Sequence, residues 1–309
     1  MRLMLVLVLA LAVAGCGNDP VLAGQPAPQL YGGLMFFQAP SPFAPMQLHY
    51  LPPRGSGAEP VDPPLVAGGG AALSRDGEWI AWLDGDGRIR LRQLRTHAYE
   101  VVTSVTDYSD MPRWSPGGRY IFFVRTPGAR IDWTATRREL VILDRVTKEE
   151  RVLAVNAATI RNPDWSPRGD LLVWQRTSPS QIELATLDGQ VIRILSTEVD
   201  SVIRALNPVF SPDGRRVAFV EEHPYTIDYS AVVVVDLEGR VITRIAMSGL
   251  GAGLAWSPSG TELAFCVQPA LGDFNYAPER VDVLNLQTGA TRAASGAGVV
   301  ACNPMWGPR

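Results

Sequence analysis

The sequence predicts an all-β protein assembled from repeated four-stranded units, and three observations support this fold class. Proline and glycine, with 25 and 29 residues, are spread along the whole chain and mark many turns. Short runs of β-branched and aromatic residues lie between these turns, and no convincing amphipathic helical pattern appears after the N-terminus. A motif built on Ser-Pro-x-Gly also recurs five times.

Composition narrows the class of protein further. Hydrophobic residues make up 46% of the chain and charged residues 19%, which is ordinary for a globular protein with a buried core. The formal net charge of −3 shows no basic excess, so we predict no nucleic-acid partner. We also expect a monomer.

The first residues form a targeting signal rather than a part of the fold. Arg2 precedes an apolar run over residues 3–13, which is too short to span a membrane and is typical of a secretory signal. The stretch VAGC at 13–16 resembles the lipobox of bacterial lipoproteins. This resemblance implies lipidation of Cys16 and cleavage before it. The alternative is an ordinary signal peptide whose cysteine is incidental.

These features predict the organisation of the chain. We expect a lipoprotein signal peptide over 1–15, a flexible tether over 16–32 and a single folded domain over 33–309. The mature protein would be lipid-anchored to a bacterial membrane, outside the cytoplasm, in the periplasm or on the cell surface. Several acyl chains give stable anchoring because each buried CH₂ contributes about 0.8 kcal/mol.

Each copy of the repeated motif predicts a tight hairpin. Serine, proline and glycine take the first, second and fourth positions that a type I turn favours, and Arg75 alone replaces the proline. The serines at 74, 115, 166, 211 and 257 are 41, 51, 45 and 46 residues apart, as in four-stranded propeller blades. The five copies are LSRDGEWIAWL (73–83), WSPGGRYIFFV (114–124), WSPRGDLLVWQ (165–175), FSPDGRRVAFV (210–220) and WSPSGTELAFC (256–266).

A second pair of strands follows the first hairpin in each unit. Two apolar runs flank a polar turn, which completes four strands per repeat. A single unit cannot bury both of its faces, so neighbouring units must pack together. These second pairs are clearest over residues 139–153, 182–195, 231–245 and 281–294.

The motif W-S-P-D-G-x-x-[IL]-[AV]-[FY], followed by a turn such as D-L-x-[TG]-G, resembles the WD-repeat-like blades of TolB-type propellers. The resemblance covers residues 72–309 directly and implies a six-bladed β-propeller in a bacterial envelope protein. TolB carries an α/β domain before its propeller, whereas only a short tether precedes the first strand here. TolB's own role is therefore not implied in full, because this architecture hosts many functions.

The two ends of the domain predict how the ring closes. Five full motifs, together with NPMWGPR at 303–309, which matches only the start of the repeated segment, give six blades. The N-terminal segment offers LMFFQ as a second strand, MQLHYL as a third, and a fourth around residues 63–66, but it has no first strand. We predict that the C-terminal segment supplies that first strand, which leaves only short, protected edges.

Two cysteines remain after Cys16. Cys266 ends the second strand of the last full blade, and Cys302 lies just before the closing strand. In propeller topology both lie toward the same rim of the ring, and a compartment outside the cytoplasm permits disulfides. A bond between them would hold the closing strand. The alternative is a pair of buried thiols that behave as small hydrophobic groups.

No motif in the sequence indicates catalysis, a metal or a cofactor, so we predict none of these. The three histidines, His49, His97 and His223, belong to no H-E-x-x-H pattern, and paired CxxC, G-x-S-x-G and P-loop motifs are missing. DGDG at 84–87 resembles the start of a calcium loop, but Arg95 occupies the twelfth position where glutamate is needed. A tight Asp-Gly hairpin explains it better.

Aromatic residues fall into two groups. One group recurs once per repeat, at positions 114, 165, 210 and 256, which favours packing between blades over a stacking platform. The other group lies in the variable loops between the second and third strands of the blades. Aromatic residues are enriched in binding hot spots, although these could instead cover the blade ends. The candidate partner-binding residues are Phe43, Trp133, Tyr225, Tyr229, Phe274 and Tyr276.

The sequence therefore predicts a propeller that binds an envelope protein or peptide as a scaffold. The alternative is a hydrolase or lyase that uses a small-molecule or metal site in the central channel.

Overall fold

The structure is a computed structural model that describes residues 32–40, 46–53, 57–61, 66–67, 70–84, 86–103, 108–128, 137–155, 159–196, 203–223, 226–247, 250–267, 280–296 and 300–307. These residues form 25 β-strands, and none of them lies in a helix. No candidate for a membrane-spanning helix is present among them.

The strands form six antiparallel sheets, which are the blades, and we number the blades from the N-terminus. Blade 1 holds β1 (Leu34–Ala39), β2 (Met46–Leu51), β3 (Glu59–Pro60), β4 (Val66–Ala67) and β25 (Val300–Trp306). Blade 2 holds β5 (Ala71–Leu73), β6 (Trp79–Leu83), β7 (Ile89–Gln93) and β8 (Tyr99–Val101). Blade 3 holds β9 (Tyr108–Trp114), β10 (Tyr120–Thr126), β11 (Glu139–Asp144) and β12 (Glu150–Val155).

The other three blades repeat this arrangement. Blade 4 holds β13 (Ile160–Trp165), β14 (Leu171–Thr177), β15 (Ser180–Thr186) and β16 (Val191–Ile194). Blade 5 holds β17 (Arg204–Phe210), β18 (Arg216–His223), β19 (Thr226–Asp236) and β20 (Val241–Met247). Blade 6 holds β21 (Leu250–Trp256), β22 (Glu262–Val267), β23 (Arg280–Asn285) and β24 (Thr291–Ala293).

The blades close into a ring. First strands of successive blades contact one another in the order β5, β9, β13, β17, β21 and β25, and β25 contacts β5 again. The predicted fold class, an all-β six-bladed propeller, is therefore confirmed.

Six hydrophobic clusters hold the ring together, one at each interface between neighbouring blades. Alternate residues of a strand point to opposite faces, so each inner strand serves two interfaces. In β10, Ile121 and Phe123 pack toward blade 2, whereas Phe122 and Val124 pack toward blade 4. This double burial explains why the second strands read as continuous apolar runs rather than as an alternating pattern.

Blade 1 closes as predicted by joining the two ends of the chain. Strand β25 pairs antiparallel with β1, from Leu34 opposite Trp306 to Ala39 opposite Val300. The backbone N–H of Gly307 also donates to the carbonyl of Gly33 at 2.8 Å. The C-terminal segment is thus the first strand of the N-terminal blade.

The outer strand of blade 1 differs from the prediction of one strand around residues 63–66. Val66 does lie in β4, which pairs with β2, but β3 pairs with the other end of β2. Two strands of two residues therefore share the fourth position, while 62–65 lie outside the described residues. Pro60 within β3 cannot donate a ladder hydrogen bond, which is why this edge is broken.

The Ser-Pro-x-Gly hairpins have the predicted turn geometry. In all five, the glycine N–H donates to the serine carbonyl at 2.8 to 3.0 Å, and the glycine has a positive φ of 66° to 77°. The serine hydroxyl, which the sequence analysis left without a role, accepts a hydrogen bond from the N–H five residues later. Each serine is buried, so these hydroxyls fix the turns from inside.

The DGDG segment is also a turn, between β6 and β7. The side chain of Asp84 accepts hydrogen bonds from the backbone N–H groups of Asp86 and Arg88 at 2.8 and 2.9 Å. Burial alone would raise the pKa of Asp84, but these bonds together with Arg90 lower it below 3.8. The hairpin interpretation is confirmed.

Candidate functional site

The first strands of the six blades surround a cavity on the ring axis. Its volume is about 630 Å³, within the range of small-ligand pockets, and residues of all six blades line it. The cavity reaches the side of the ring that carries the Ser-Pro-x-Gly turns, here called the turn face. Four turn prolines belong to its wall: Pro116, Pro167, Pro212 and Pro258.

A bulge lies near the end of every first strand except β5. In NPDW (162–165) and NPVF (207–210) the asparagine has a positive φ, of 46° and 55°, and the ladder register shifts there. In the NPMW segment of β25 (303–306), Asn303 also has a positive φ, of 56°, beside a shift in ladder register. Asparagine tolerates this left-handed conformation. The proline that follows it has no N–H to donate to the ladder, and a bulge is a position where such a donor is not needed. Asn162 and Asn207 hydrogen-bond to each other across neighbouring blades.

An aromatic residue ends every first strand except that of blade 2, where Leu73 takes this position, and it joins neighbouring blades. The indole N–H of Trp114 donates to the carbonyl of Ala72 at 3.0 Å, and Trp256 and Trp306 make the same bond to Val209 and Ala255. Their predicted role in packing between blades is confirmed. In blade 4 the indole nitrogen of Trp165 is buried and has no hydrogen-bond partner within the described part of the chain.

One residue from each blade, immediately before these aromatic positions, forms what we call the wall ring. Four of its members are apolar, and the two ionisable members, Arg113 and Asp164, sit on adjacent blades. The wall ring is therefore asymmetric, with its charge on the side of blades 3 and 4, although Arg75, Asp213 and Arg216 also line the cavity toward the turn face. The wall ring consists of Ala72, Arg113, Asp164, Val209, Ala255 and Met305.

The two charged members of the wall ring are only loosely paired. Arg113 Nε lies 3.9 Å from Asp164 Oδ1, and Arg113 Nη1 donates to its neighbour Pro112 O at 3.0 Å. Asp164 Oδ2 accepts the backbone N–H of Phe210 at 2.8 Å. Burial raises the pKa of Asp164, and the attraction of Arg113 and the backbone hydrogen bonds offset it only in part.

Arg75 extends across the mouth of the cavity. It is the one residue that replaces the turn proline, and its Nη1 donates to Pro167 O at 2.8 Å. Arg75 belongs to blade 2 and Pro167 to blade 4, so the side chain passes over the end of blade 3. The replacement of proline by arginine is visible in the sequence, but the contact of Arg75 with blade 4 is visible only in the assembled ring.

Most of the predicted partner-binding residues lie outside the described residues. Phe43, Trp133, Tyr225, Phe274 and Tyr276 fall in the gaps of the description, and so does Cys16. Tyr229 lies within β19. Their binding role remains a prediction. A central channel on the opposite side follows from the predicted propeller, but the residues of its wall could not be identified from sequence, because the wall ring residues are far apart in the chain.

The structure joins Cys266 to Cys302 by a disulfide, with 5.3 Å between their Cα atoms. This bond links β22 of blade 6 to β25 of blade 1. Gly253 lies beneath it with φ of 90°, and a Cβ there would be 3.1 Å from the Cys266 sulfur. Blade 6 therefore has glycine where three other blades have asparagine.

An ion pair joins the two middle strands of blade 4, outside the lining of the cavity. In blade 4, both carboxylate oxygens of Glu183 accept hydrogen bonds from Arg176, at 2.6 and 2.9 Å, and Trp174 Nε1 donates at 2.6 Å. Burial would raise the pKa of Glu183, but these bonds lower it overall. Within the described ranges, no group of three His, Cys, Asp or Glu side chains could hold a metal ion.

Comparison with known proteins identifies the architecture. No protein-family profile and no curated protein sequence matches the chain. TolB from Acinetobacter baumannii is similar in structure, with a TM-score of 0.72 and 18% identity over 90% of this chain and 67% of TolB. A putative TolB from Agrobacterium tumefaciens gives a TM-score of 0.52 and 20% identity over 76% of this chain and 88% of that one.

Other propellers are similar as well. The match to a nidogen/laminin complex has a TM-score of 0.63 and 15% identity, covering 88% of this chain and 97% of that one. An oligogalacturonate lyase in complex with manganese has a TM-score of 0.61 and 15% identity, covering 88% and 76%. At these identities the similarity shows the fold alone. The chain is therefore a six-bladed β-propeller whose structure is similar to that of TolB proteins.

Proposed function

We propose that this protein is a cell-envelope lipoprotein whose propeller binds a protein or peptide as a scaffold, similar in broad logic to TolB. The axial cavity is the observation that carries the proposal. Its wall combines apolar side chains with charged and hydroxyl groups, so it offers both kinds of contact that a binding site uses. The ring around it is rigid because six buried clusters and a closing strand hold the blades together.

The structural neighbours support a binding role. One of them is a propeller seen in a nidogen/laminin complex, which is an assembly of two proteins. Membrane attachment is proposed from the lipobox VAGC, which would place a lipid on Cys16. The predicted aromatic loop residues would add a second contact surface on the opposite side of the ring.

The proposal is tested by photo-crosslinking in the cell. A photoreactive phenylalanine analogue would replace Ala255 in the cavity wall, Tyr229 in β19 or Thr288 in an exposed turn of blade 6. We expect an adduct with another envelope protein or peptide from Ala255 or Tyr229 and none from Thr288. If Ala255 and Tyr229 give no adduct above the level of Thr288, the binding role is refuted.

The alternative, an enzyme that uses the channel, is favoured by the structural similarity to oligogalacturonate lyases. Asp164, with its raised pKa, is the side chain in the described cavity wall best placed to exchange a proton. Incubation with oligogalacturonate, with and without manganese, would detect unsaturated products by their ultraviolet absorbance. Product that disappears in Asp164→Asn would favour the enzyme over the scaffold.

A further inference from the structure

At the level of the wall ring, the axial cavity has a charged side and an apolar side, while Arg75, Asp213 and Arg216 add charged groups at the turn face. The asymmetry of the wall ring limits what the cavity can hold. Arg113 and Asp164 occupy adjacent positions of the wall ring, whereas the remaining four positions are alanine, valine or methionine. A purely apolar ligand would leave the charged side desolvated without compensation. A ligand that combines an apolar group with one ionised group matches both sides.

Two arginines converge on the first strand and turn of blade 4. Arg75 comes from blade 2 and contacts Pro167, and Arg113 comes from blade 3 and faces Asp164. Both arginines donate to backbone carbonyls: Arg75 to that of Pro167 at 2.8 Å, and Arg113 to that of Pro112 at 3.0 Å. A carboxylate is a stronger acceptor for a guanidinium than a neutral carbonyl, and it binds two N–H groups at once.

Other features of the same sector are consistent with an anionic ligand. Burial raises the pKa of the Asp164 carboxyl group, and protonation of this group would remove the negative charge that opposes a ligand carboxylate. Trp165 is also part of the cavity wall, but its indole nitrogen is buried. The sector therefore offers two guanidinium groups as donors, beside one acidic group whose ionisation is disfavoured by burial.

We propose that the cavity binds the C-terminal end of a partner protein, with the terminal carboxylate held by Arg75 and Arg113 and an apolar last side chain against Val209, Ala255 and Met305. In this arrangement Arg75 exchanges the carbonyl of Pro167 for the ligand carboxylate. This inference rests on the proposed binding function, since it names the class of ligand that the same cavity takes.

The probe is the peptide N-acetyl-Gly-Ala-Leu-Leu with a free C-terminus, compared with its C-terminal amide by ligand-observed NMR and calorimetry. We expect the free acid to bind at least about tenfold more tightly than the amide. Arg75→Gln and Arg113→Gln should each weaken the acid about tenfold and leave the amide unchanged. Arg215→Gln, which removes an exposed arginine of the same face outside the cavity, is the control.

Asp164→Asn gives an independent readout. Removing the neighbouring carboxyl group should strengthen binding of the free acid, whereas loss of folding would weaken both peptides and lower the melting temperature. Equal binding of acid and amide would overturn the proposal. Octanoate that competes as strongly as the peptide would also overturn it, in favour of a small apolar acid.

The two proposals fail in different ways. If Ala255 crosslinks to a protein while the free acid binds no better than the amide, only the assignment of a C-terminal carboxylate is lost. If Ala255 and Tyr229 form no adducts, the scaffold role itself is lost, whatever the peptides do.

Discussion

The motif serines show how one hydroxyl can define a turn. In blade 3, Ser115 is fully buried, its carbonyl accepts the N–H of Gly118, and its Oγ accepts the N–H of Tyr120 at 3.0 Å. An alanine in its place would leave the buried N–H of Tyr120 without that side-chain acceptor. Serine is therefore required by hydrogen bonding, and not only by turn preference.

Replacement of Ser115 by alanine should lower the free energy of unfolding by about 1–2 kcal/mol, because a buried hydrogen bond is lost without a substitute. Urea denaturation of both proteins measures this difference. Thr291→Ala, on the exposed strand β24, is the matched control and should change stability little. A loss for Ser115→Ala no larger than for this control would contradict the role given to the hydroxyl.

Glu183 should make stability depend on pH. Its folded-state pKa is lowered, so its ionised form stabilises the fold above pH 4.5 and this contribution disappears as pH falls through the folded pKa. We expect Glu183→Gln to cost about 3 kcal/mol at pH 7, since Arg176 loses its buried partner. The cost should shrink in denaturation experiments below pH 4.5.

An exposed glutamate provides the comparison for Glu183. Glu238 lies in the β19–β20 turn with its side chain about half exposed, so Glu238→Gln should have a small effect at every pH. If the two variants showed the same dependence on pH, the buried pair in blade 4 would not be the source of the effect.

At the scale of elements, the hairpins were predictable from sequence because their determinants are local. Serine, proline and glycine at fixed offsets specify each turn, and the following apolar run specifies the next strand. The outer strand of blade 1 was not predictable in detail. Its two short pieces depend on pairing with opposite ends of β2, and they have no repeated motif.

The cavity depends on still longer-range relations. Arg113 and Asp164 are 51 positions apart, and Arg75 reaches a residue 92 positions later in the chain. The glycine of blade 6 illustrates the same limit. Its departure from asparagine is visible in the sequence, but the reason, a disulfide lying above Gly253, appears only in the assembled ring.

Strand β25 is the element whose loss should matter most. Deletion of residues 303–309 removes Met305 and Trp306, which pair with Met35 and Leu34 of β1, and exposes the clusters of blade 1 on both sides. We expect a sharply lower melting temperature by calorimetry. Deletion of residues 308 and 309 alone leaves β25 intact and should have little effect. An unchanged melting curve for the longer deletion would contradict closure by this strand.

At the scale of the whole molecule, we expect the propeller to determine stability and the predicted lipid on Cys16 to determine membrane attachment. The lipid on Cys16 is predicted from sequence alone, whereas the propeller is held by its six interfaces. Cys16→Ser should therefore release the protein from the membrane fraction without changing its melting temperature. Fractionation with immunodetection measures the first effect. Continued membrane association of the serine variant would contradict lipid anchoring.

The closure of blade 1 also sets an order of events during biogenesis. Strand β1 comes near the start of the described chain, yet its partner β25 is the last of the 25 strands to be synthesised. Until that strand emerges, the interfaces of blade 1 lack β25, so the ring cannot form as a complete cooperative unit. If the chain is exported as an unfolded polypeptide, as its predicted signal sequence implies, this delay keeps the ring open until the last strand is available.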